Sequence, residues 1–429
     1  MSIKVPDRTR QPGIRPVSPG SLNEPDKILL DNGVQVYYFN SGIDPLAKID
    51  FIFDAGQLFE ERPLLASVTN LMLTEGSEAY NAESLNKALD YYGAMPGLFS
   101  EKDQAGLSVA FLVKHTRDIL DLCLEILFRP VFPAKELDIV RERKLQSFLL
   151  SRQRVQSLAS DKFFESVFGS DHPYGRIIGH DDFRKISREN VAGHHAMNYS
   201  TRSLTIIISG MVDGNLLASL NATIGKVNMQ VNQAANIPAL TSINEPRVSY
   251  VEKKDALQNA IRIGSATINK KHPDYHALKI TDTILGGYFG SRLMKNIREE
   301  KGYTYGISSS VVSLSQSGYK VISAEVGRKH TNATLKEIQN EIKLLQEEKV
   351  GAEELGIVKN YMLGELVRMF DGPFSYAETF RSAWEFGLDL EYYRQMEKKI
   401  NSITPDEIIH IARTYYKADE LHTVIAGEK

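Results

Sequence analysis

Much of this chain is written twice. AKELDIVRERKL at 134–145 returns as AEELGIVKNYML at 352–363, an offset of 218. ISRENVAGHHAMNYSTRSLTIIISG at 186–210 returns without a gap as ITPDEIIHIARTYYKADELHTVIAG at 403–427, an offset of 217. A near-constant offset over separate segments means two homologous halves, so the fold of one constrains the fold of the other. Each longer repeat reads as a capped helix, then a Tyr, then an apolar strand ending in Gly. Ser187 and Thr404 are the expected N-caps, whose side-chain oxygens satisfy free amides of the first turn. Pro405 falls at the first helical position, where a missing N–H costs nothing. More loosely, ASVTNLMLTEG ending at Gly76 parallels ALKITDTILGG ending at Gly287.

Within each half, alternating segments such as KIDFIFDAG and ALQNAIRIGSATI precede a helix, and AGLSVAFLV or GYKVISAEVG follows. This order predicts an α+β protein of two halves, each an antiparallel sheet with helices packed on one face, enclosing a cleft. The expected divisions are an extended Pro-rich arm over 1–27, a first domain over 28–229, a linker over 230–246 and a second domain over 247–429. With 429 residues, 42% of them hydrophobic, there is material for two cores. The net charge of −3, from 51 basic and 54 acidic residues interspersed, supplies no field to recruit nucleic acid or an anionic membrane. No run is long enough to span a bilayer, and the N-terminus lacks a signal-peptide apolar core. A cytoplasmic location is expected; the periplasm stays open, since an upstream export segment could have been removed. The single cysteine, Cys123, lies in LDLCLEILF, which excludes an internal disulfide and predicts a buried thiol.

Several smaller signals read as structural. GGYFG at 286–290 lacks dinucleotide-binding spacing and reads as a tight turn. His272 and His276 have ligand-like spacing, but Pro273 between them marks a helix entrance and no acidic third ligand follows. His194 and His195, adjacent on a helix, are expected to point one to solvent and one to the core. ASVTNLML at 66–73 is harder to place: it has the apolar pattern of a buried helix, yet Ser67, Thr69 and Asn70 interrupt it.

A resemblance makes that helix readable. LDNGVQVYYF at 30–39, AGQLFEE at 55–61, HPYGRIIGHDDFRKISRENVAGHHAMNYS at 172–200 and ILGGYFGSRLMKNIREEKGYTYGISSS at 284–310 together resemble the pitrilysin/insulinase family of inverted zinc metallopeptidases. The resemblance runs over nearly the whole chain after residue 28. It implies that the first-half helix should carry H-x-x-E-H, two imidazoles holding zinc and a carboxylate acting on the metal-bound water. Here that motif falls on Ser67, Val68, Thr69, Asn70 and Leu71, and the family's third ligand, a downstream glutamate, falls near Phe148, with Glu142 the nearest carboxylate. Hydroxyl, amide and aliphatic groups cannot replace neutral imidazoles, so this chain is expected to bind no metal and no other cofactor, and to be inactive alone.

The family also places an Arg and a Tyr seven apart in the C-terminal half, and REEKGYTY supplies Arg298 and Tyr305. By resemblance the arginine gathers substrate carbonyls and the tyrosine donates to the oxyanion, roles that suit a guanidinium fork and a phenol. Some family members pair a zinc-bearing chain with one that brings the Arg/Tyr pair. The resemblance therefore implies a non-catalytic subunit whose partner is a homologous zinc-bearing chain, or a second copy of itself, with zinc in the partner and short or unfolded peptides as substrate. The alternative is an inactive structural or peptide-binding protein, like the family's respiratory-complex core and processing-enzyme partner subunits. Peptide is expected to add as a strand to a sheet edge, and Pro96 in YGAMPGLFSEKD weakens the first-half edge for that purpose.

Overall fold

A computed structural model describes residues 18, 20–228, 237, 240 and 248–428. The expected arm is therefore mostly outside the described residues, as is the linker over 230–246 except for Ile237 and Leu240. The first half runs β1 (Asp26–Leu29), β2 (Gln35–Asn40), β3 (Leu46–Phe53), α1 (Leu65–Met72), α2 (Ala82–Tyr91), β4 (Met95–Ser100), β5 (Ala105–Leu112), α3 (Thr116–Phe128), α4 (Ala134–Ser151), α5 (Val155–Phe168), α6 (Asp182–Lys185), α7 (Arg188–Asn198), β6 (Thr205–Gly210) and α8 (Gly214–Thr223). The second half runs β7 (Val248–Glu252), β8 (Gln258–Thr267), α9 (Tyr275–Asp282), β9 (Thr304–Ser313), β10 (Gly318–Gly327), α10 (Thr331–Glu347), α11 (Ala352–Arg368), α12 (Pro373–Trp384), α13 (Glu391–Ser402), α14 (Pro405–Tyr415) and β11 (His422–Gly427). β1 starts inside the segment expected to be an extended arm.

The repeats land on matching elements: α4 on α11, α7 on α14, β6 on β11. Ser187 accepts from the Asn190 amide and Thr404 from the Glu407 amide, so both predicted caps are made. The sheets run β1-β2-β6-β3-β5-β4 and β7-β11-β8-β10-β9, the same order apart from the extra β1. Each is antiparallel except for one parallel pair, β2 with β6 and β7 with β11. In both cases the closing strand returns from a helix and inserts between earlier strands, which permits a parallel neighbour.

Both faces of each sheet are covered, because each half lends the other a helix. α5 packs on β8 and β11 of the second sheet, over Ala260, Val424 and Ala426. α12 packs on β2 and β6 of the first, with Tyr37 against Phe380 at 5.2 Å and Phe39 against Tyr376 at 5.1 Å. Strands buried on both sides carry near-continuous apolar sequence, as TIIISG and HTVIAG do.

The halves are also latched at their hairpins. Asp103, in the β4–β5 turn, accepts from the Ser315 amide at 2.9 Å, the Ser315 hydroxyl at 2.9 Å and the Tyr174 hydroxyl. Bonds to a carboxylate contribute roughly 1.5–3 kcal/mol each when deleted singly and do not add fully. Asp103→Ala is expected to lower stability by about 2 kcal/mol, read from the urea unfolding midpoint.

His194 and His195 depart from expectation: both are buried. α7 packs on α1, and its His195 reaches the end of α3, so neighbouring positions both meet protein. The His194 ring donates through Nε2 to Ala55 O at 3.3 Å and the His195 ring to Leu127 O at 2.8 Å. Cys123 is buried as expected, and desolvation pushes its thiol up to about 12.

Candidate functional site

The turn after β3 sets up α1. Leu64, at its N-terminus, is held in the left-handed region at φ 73. Buried Glu60 reaches back so that its Oε2 accepts from the Ala66 amide at 3.1 Å, satisfying a free donor of the first turn. Burial raises the Glu60 carboxyl to about 7, against the pull of Arg176 and Lys102. Nothing in AGQLFEE marked Glu60 as the cap of this helix, because it acts from six residues away.

Along α1, Ser67 donates to Leu64 O at 3.1 Å. Asn70 donates through Nδ2 to Gly106 O at 2.9 Å and to the Tyr199 hydroxyl at 3.1 Å, tying the helix to β5 and to the end of α7. Thr69 is fully buried, and its hydroxyl has no partner among the described residues. Leu71 joins the first-half apolar core, as does Phe148 on α4, whose ring meets Phe183 at 5.2 Å. Glu142 is exposed and accepts from Gln146. These side chains do not fit a zinc ion: the amide of Asn70 is turned as a donor and the remaining positions are hydroxyl or hydrocarbon. Among the described residues, no group of three His, Cys, Asp or Glu could hold a metal ion. Asn70→Ala is expected to cost about 2 kcal/mol by leaving Gly106 O without its side-chain donor and opening a void, measured by thermal unfolding.

One edge strand of the first sheet, opposite β1, is β4, paired only with β5. Glu101 N–H donates to Gln104 O, so in an unbroken antiparallel register odd-numbered amides of β4 face β5 and even-numbered ones face outward. Pro96 is therefore on the open side, where it removes one of the donors an added strand would use.

The corresponding edge of the second sheet, opposite β7, is β9, paired only with β10, and it carries Tyr305. The register shifts between Ala324 and Val326, placing Tyr305 and Gly306 opposite one residue. Such a bulge re-aims side chains, and Tyr305 stands 93% exposed. Arg298 lies on Met294–Glu300, a stretch wound more widely than an α-helix, a feature frequent at functional sites. Its guanidinium sits 4.6 Å from the ring centre of exposed Phe289. Among the described residues neither Arg298 nor Tyr305 has a hydrogen-bond or ion-pair partner, and no bond links them to α1. The pair therefore presents two donors that none of the described residues accepts from.

Where the hairpins of the two halves meet, Asp54, Phe59, Lys102, Asp103, Leu314 and Glu385 help to line a cavity of about 410 Å³. Burial pushes Asp54 and Glu385 upward and Lys102 downward. His272 and His276 do not converge: His272 accepts from the Asp274 amide, and His276 lies against Tyr392 with burial lowering it to about 4.

A family model described as the peptidase M16 inactive domain matches residues 185–362. The Helicobacter pylori non-peptidase homolog YmxG is 22% identical over 411 residues, 92% of each chain. An uncharacterized zinc protease of Mycobacterium bovis is 22% identical over 351 residues, 80% of this chain and 79% of its own. Among solved structures, a protease from Helicobacter pylori superposes with a TM-score of 0.88 at 16% identity, over 95% of this chain and all of that one (100%). The peptidase M16 inactive domain from Pseudomonas fluorescens superposes with a TM-score of 0.83 at 22% identity, over 94% and 98% of the two chains. The structural likenesses establish a shared fold. Among the described residues no helix is long and apolar enough to cross a membrane.

Proposed function

Because the chain belongs to the pitrilysin/insulinase family of M16 peptidases and has Ser67, Asn70 and Leu71 where that family places its zinc motif, we propose that it is a non-catalytic subunit of a zinc peptidase. In this reading it lends Arg298 and Tyr305 to a zinc-bearing partner that cleaves short or unfolded peptides. The single observation that carries the reading is that these two side chains, Tyr305 on the second-half edge and Arg298 on the helix preceding it, are without hydrogen-bond or ion-pair partners among the described residues.

Physically, the division of labour is coherent. The partner supplies the metal and its water. On this chain, the Arg298 fork holds substrate carbonyls, and the Tyr305 hydroxyl donates to the developing oxyanion charge. The open edge of β9 offers main-chain groups to an extended peptide. The first-half edge, with Pro96 facing outward, is poorer for that purpose, so productive binding belongs to the second half.

The test is peptide turnover by this chain, by a zinc-bearing relative, and by the two combined. Activity confined to the mixture supports the proposal. Chelator-sensitive turnover by this chain alone overturns it. Stable assembly of the two chains with no gain in turnover favours the structural or peptide-binding role instead.

A further inference from the structure

We propose that Ser265 and Lys320 form a second, metal-independent nucleophilic site, suited to small esters and other activated acyl compounds. The two residues are direct cross-strand partners, Ser265 on β8 and Lys320 on β10. Lys320 Nζ donates to Ser265 Oγ, and the serine proton is directed to Ala266 O at 3.0 Å. Both residues are buried, at 3% exposure for the lysine and 7% for the serine, yet both line a cavity of about 400 Å³ where β8 ends and β11 begins. That volume is within the usual range for small-molecule sites.

The lysine's one side-chain hydrogen bond among the described residues is to Ser265. Among the described residues it has no carboxylate within ion-pair distance, and its other close neighbour is the ring of Tyr416 at 5.5 Å. Asp282 accepts from Ser309 and Tyr416 on one carboxylate oxygen and has the other unpartnered among the described residues; it and Glu420, at the cavity wall, act on the lysine only through their charge, partly opposing the effect of burial. Burial brings the Lys320 ammonium down to about 8, so a useful fraction is neutral near physiological pH and can act as a base. A third group completes the arrangement. Thr267, two residues along the same face of β8, lines the same cavity with its hydroxyl buried and unpartnered among the described residues. Residues two apart on a strand are about 6–7 Å apart, which leaves room for a carbonyl between nucleophile and donor.

The chemistry balances without a cofactor. As the Ser265 Oγ–acyl bond forms, its proton passes to neutral Lys320 Nζ, while the Thr267 hydroxyl donates to the carbonyl oxygen. The ammonium then returns that proton to the departing alkoxide as the acyl–oxygen bond breaks. Water attacks the acyl-serine next, giving its proton to Lys320, and the carboxylic acid leaves as the proton returns to Ser265.

A fluorophosphonate probe, incubated with the intact chain in the presence of EDTA and followed by peptide mapping, tests the site. Attack forms an Oγ–P bond and expels fluoride. A dominant adduct on Ser265 is expected, absent in Ser265→Ala, formed about 100-fold more slowly in Lys320→Met, as for loss of a general base, and about tenfold more slowly in Thr267→Val. Circular dichroism checks that each variant is folded, and the conservative Thr267→Val keeps the test decisive if Lys320→Met is not. No adduct on Ser265, an adduct on Lys320 instead, or labelling at wild-type rate in folded Lys320→Met or Thr267→Val overturns the proposal.

Discussion

Combined with a zinc-bearing relative, the wild-type chain is expected to give peptide hydrolysis that falls by at least about tenfold with Arg298→Ala or Tyr305→Phe. The two variants should differ in kind. A phenol aimed at developing charge contributes mainly in the transition state, so Tyr305→Phe should lower kcat with little change in KM. A guanidinium holding ground-state carbonyls acts in both states, so Arg298→Ala should also raise KM. Tyr305 is 93% exposed and the half-buried Arg298 side chain has no hydrogen-bond or ion-pair partner among the described residues, so neither change should disturb the fold. Equal activity for wild type and both variants in an active mixture would remove the shared-site reading while leaving the assembly intact.

Acid should weaken the contribution of the buried histidines by about 3 kcal/mol each. His194 and His195 are both lowered from 6.5 to about 4, chiefly by desolvation, and their carbonyl partners Ala55 and Leu127 only partly oppose this. Between about pH 6.5 and 4 the unfolded chain therefore holds more protons than the folded one, and stability rises with pH. The contribution is complete above about 6.5 and lost as pH falls through 4. A shift of this size corresponds to about 3 kcal/mol per group. Glu60 acts oppositely: raised to about 7, it keeps when folded a proton that the unfolded chain releases above 4.5. The measurement is accordingly a difference. The stability gap between wild type and His195→Gln should shrink by about 3 kcal/mol from pH 7 to pH 4 in denaturant titrations. A constant gap would mean that the ring is hydrated or already charged in the native state.

Much of this architecture can be read from the repeats. The offset of 217–218 residues pairs α4 with α11, α7 with α14 and β6 with β11, and the caps at Ser187 and Thr404 form because capping is local chemistry. The positions aligned with the zinc motif and the Arg/Tyr pair are legible only through the family resemblance, not from the residues alone. What stayed hidden depends on partners distant in sequence. Adjacent helical positions predict that one of His194 and His195 faces solvent, because nothing local reveals that α7 is flanked on both sides. Ser265 and Lys320 are 55 residues apart and meet only through strand register. Asp103 meets Ser315 across 212 residues. The bulge that turns Tyr305 outward is a mismatch between two strands, and neither strand encodes it alone.

The crossing of α5 and α12 bears on how such a chain can change over time. A doubled gene usually leaves two modules that recombination can separate, shuffle or lose. Here each copy wears a piece of the other, and a fragment cut between them would show bare apolar strands to its surroundings. One copy can drift far in its chemistry while the pair is still inherited whole, since the drifting copy must keep roofing its sibling.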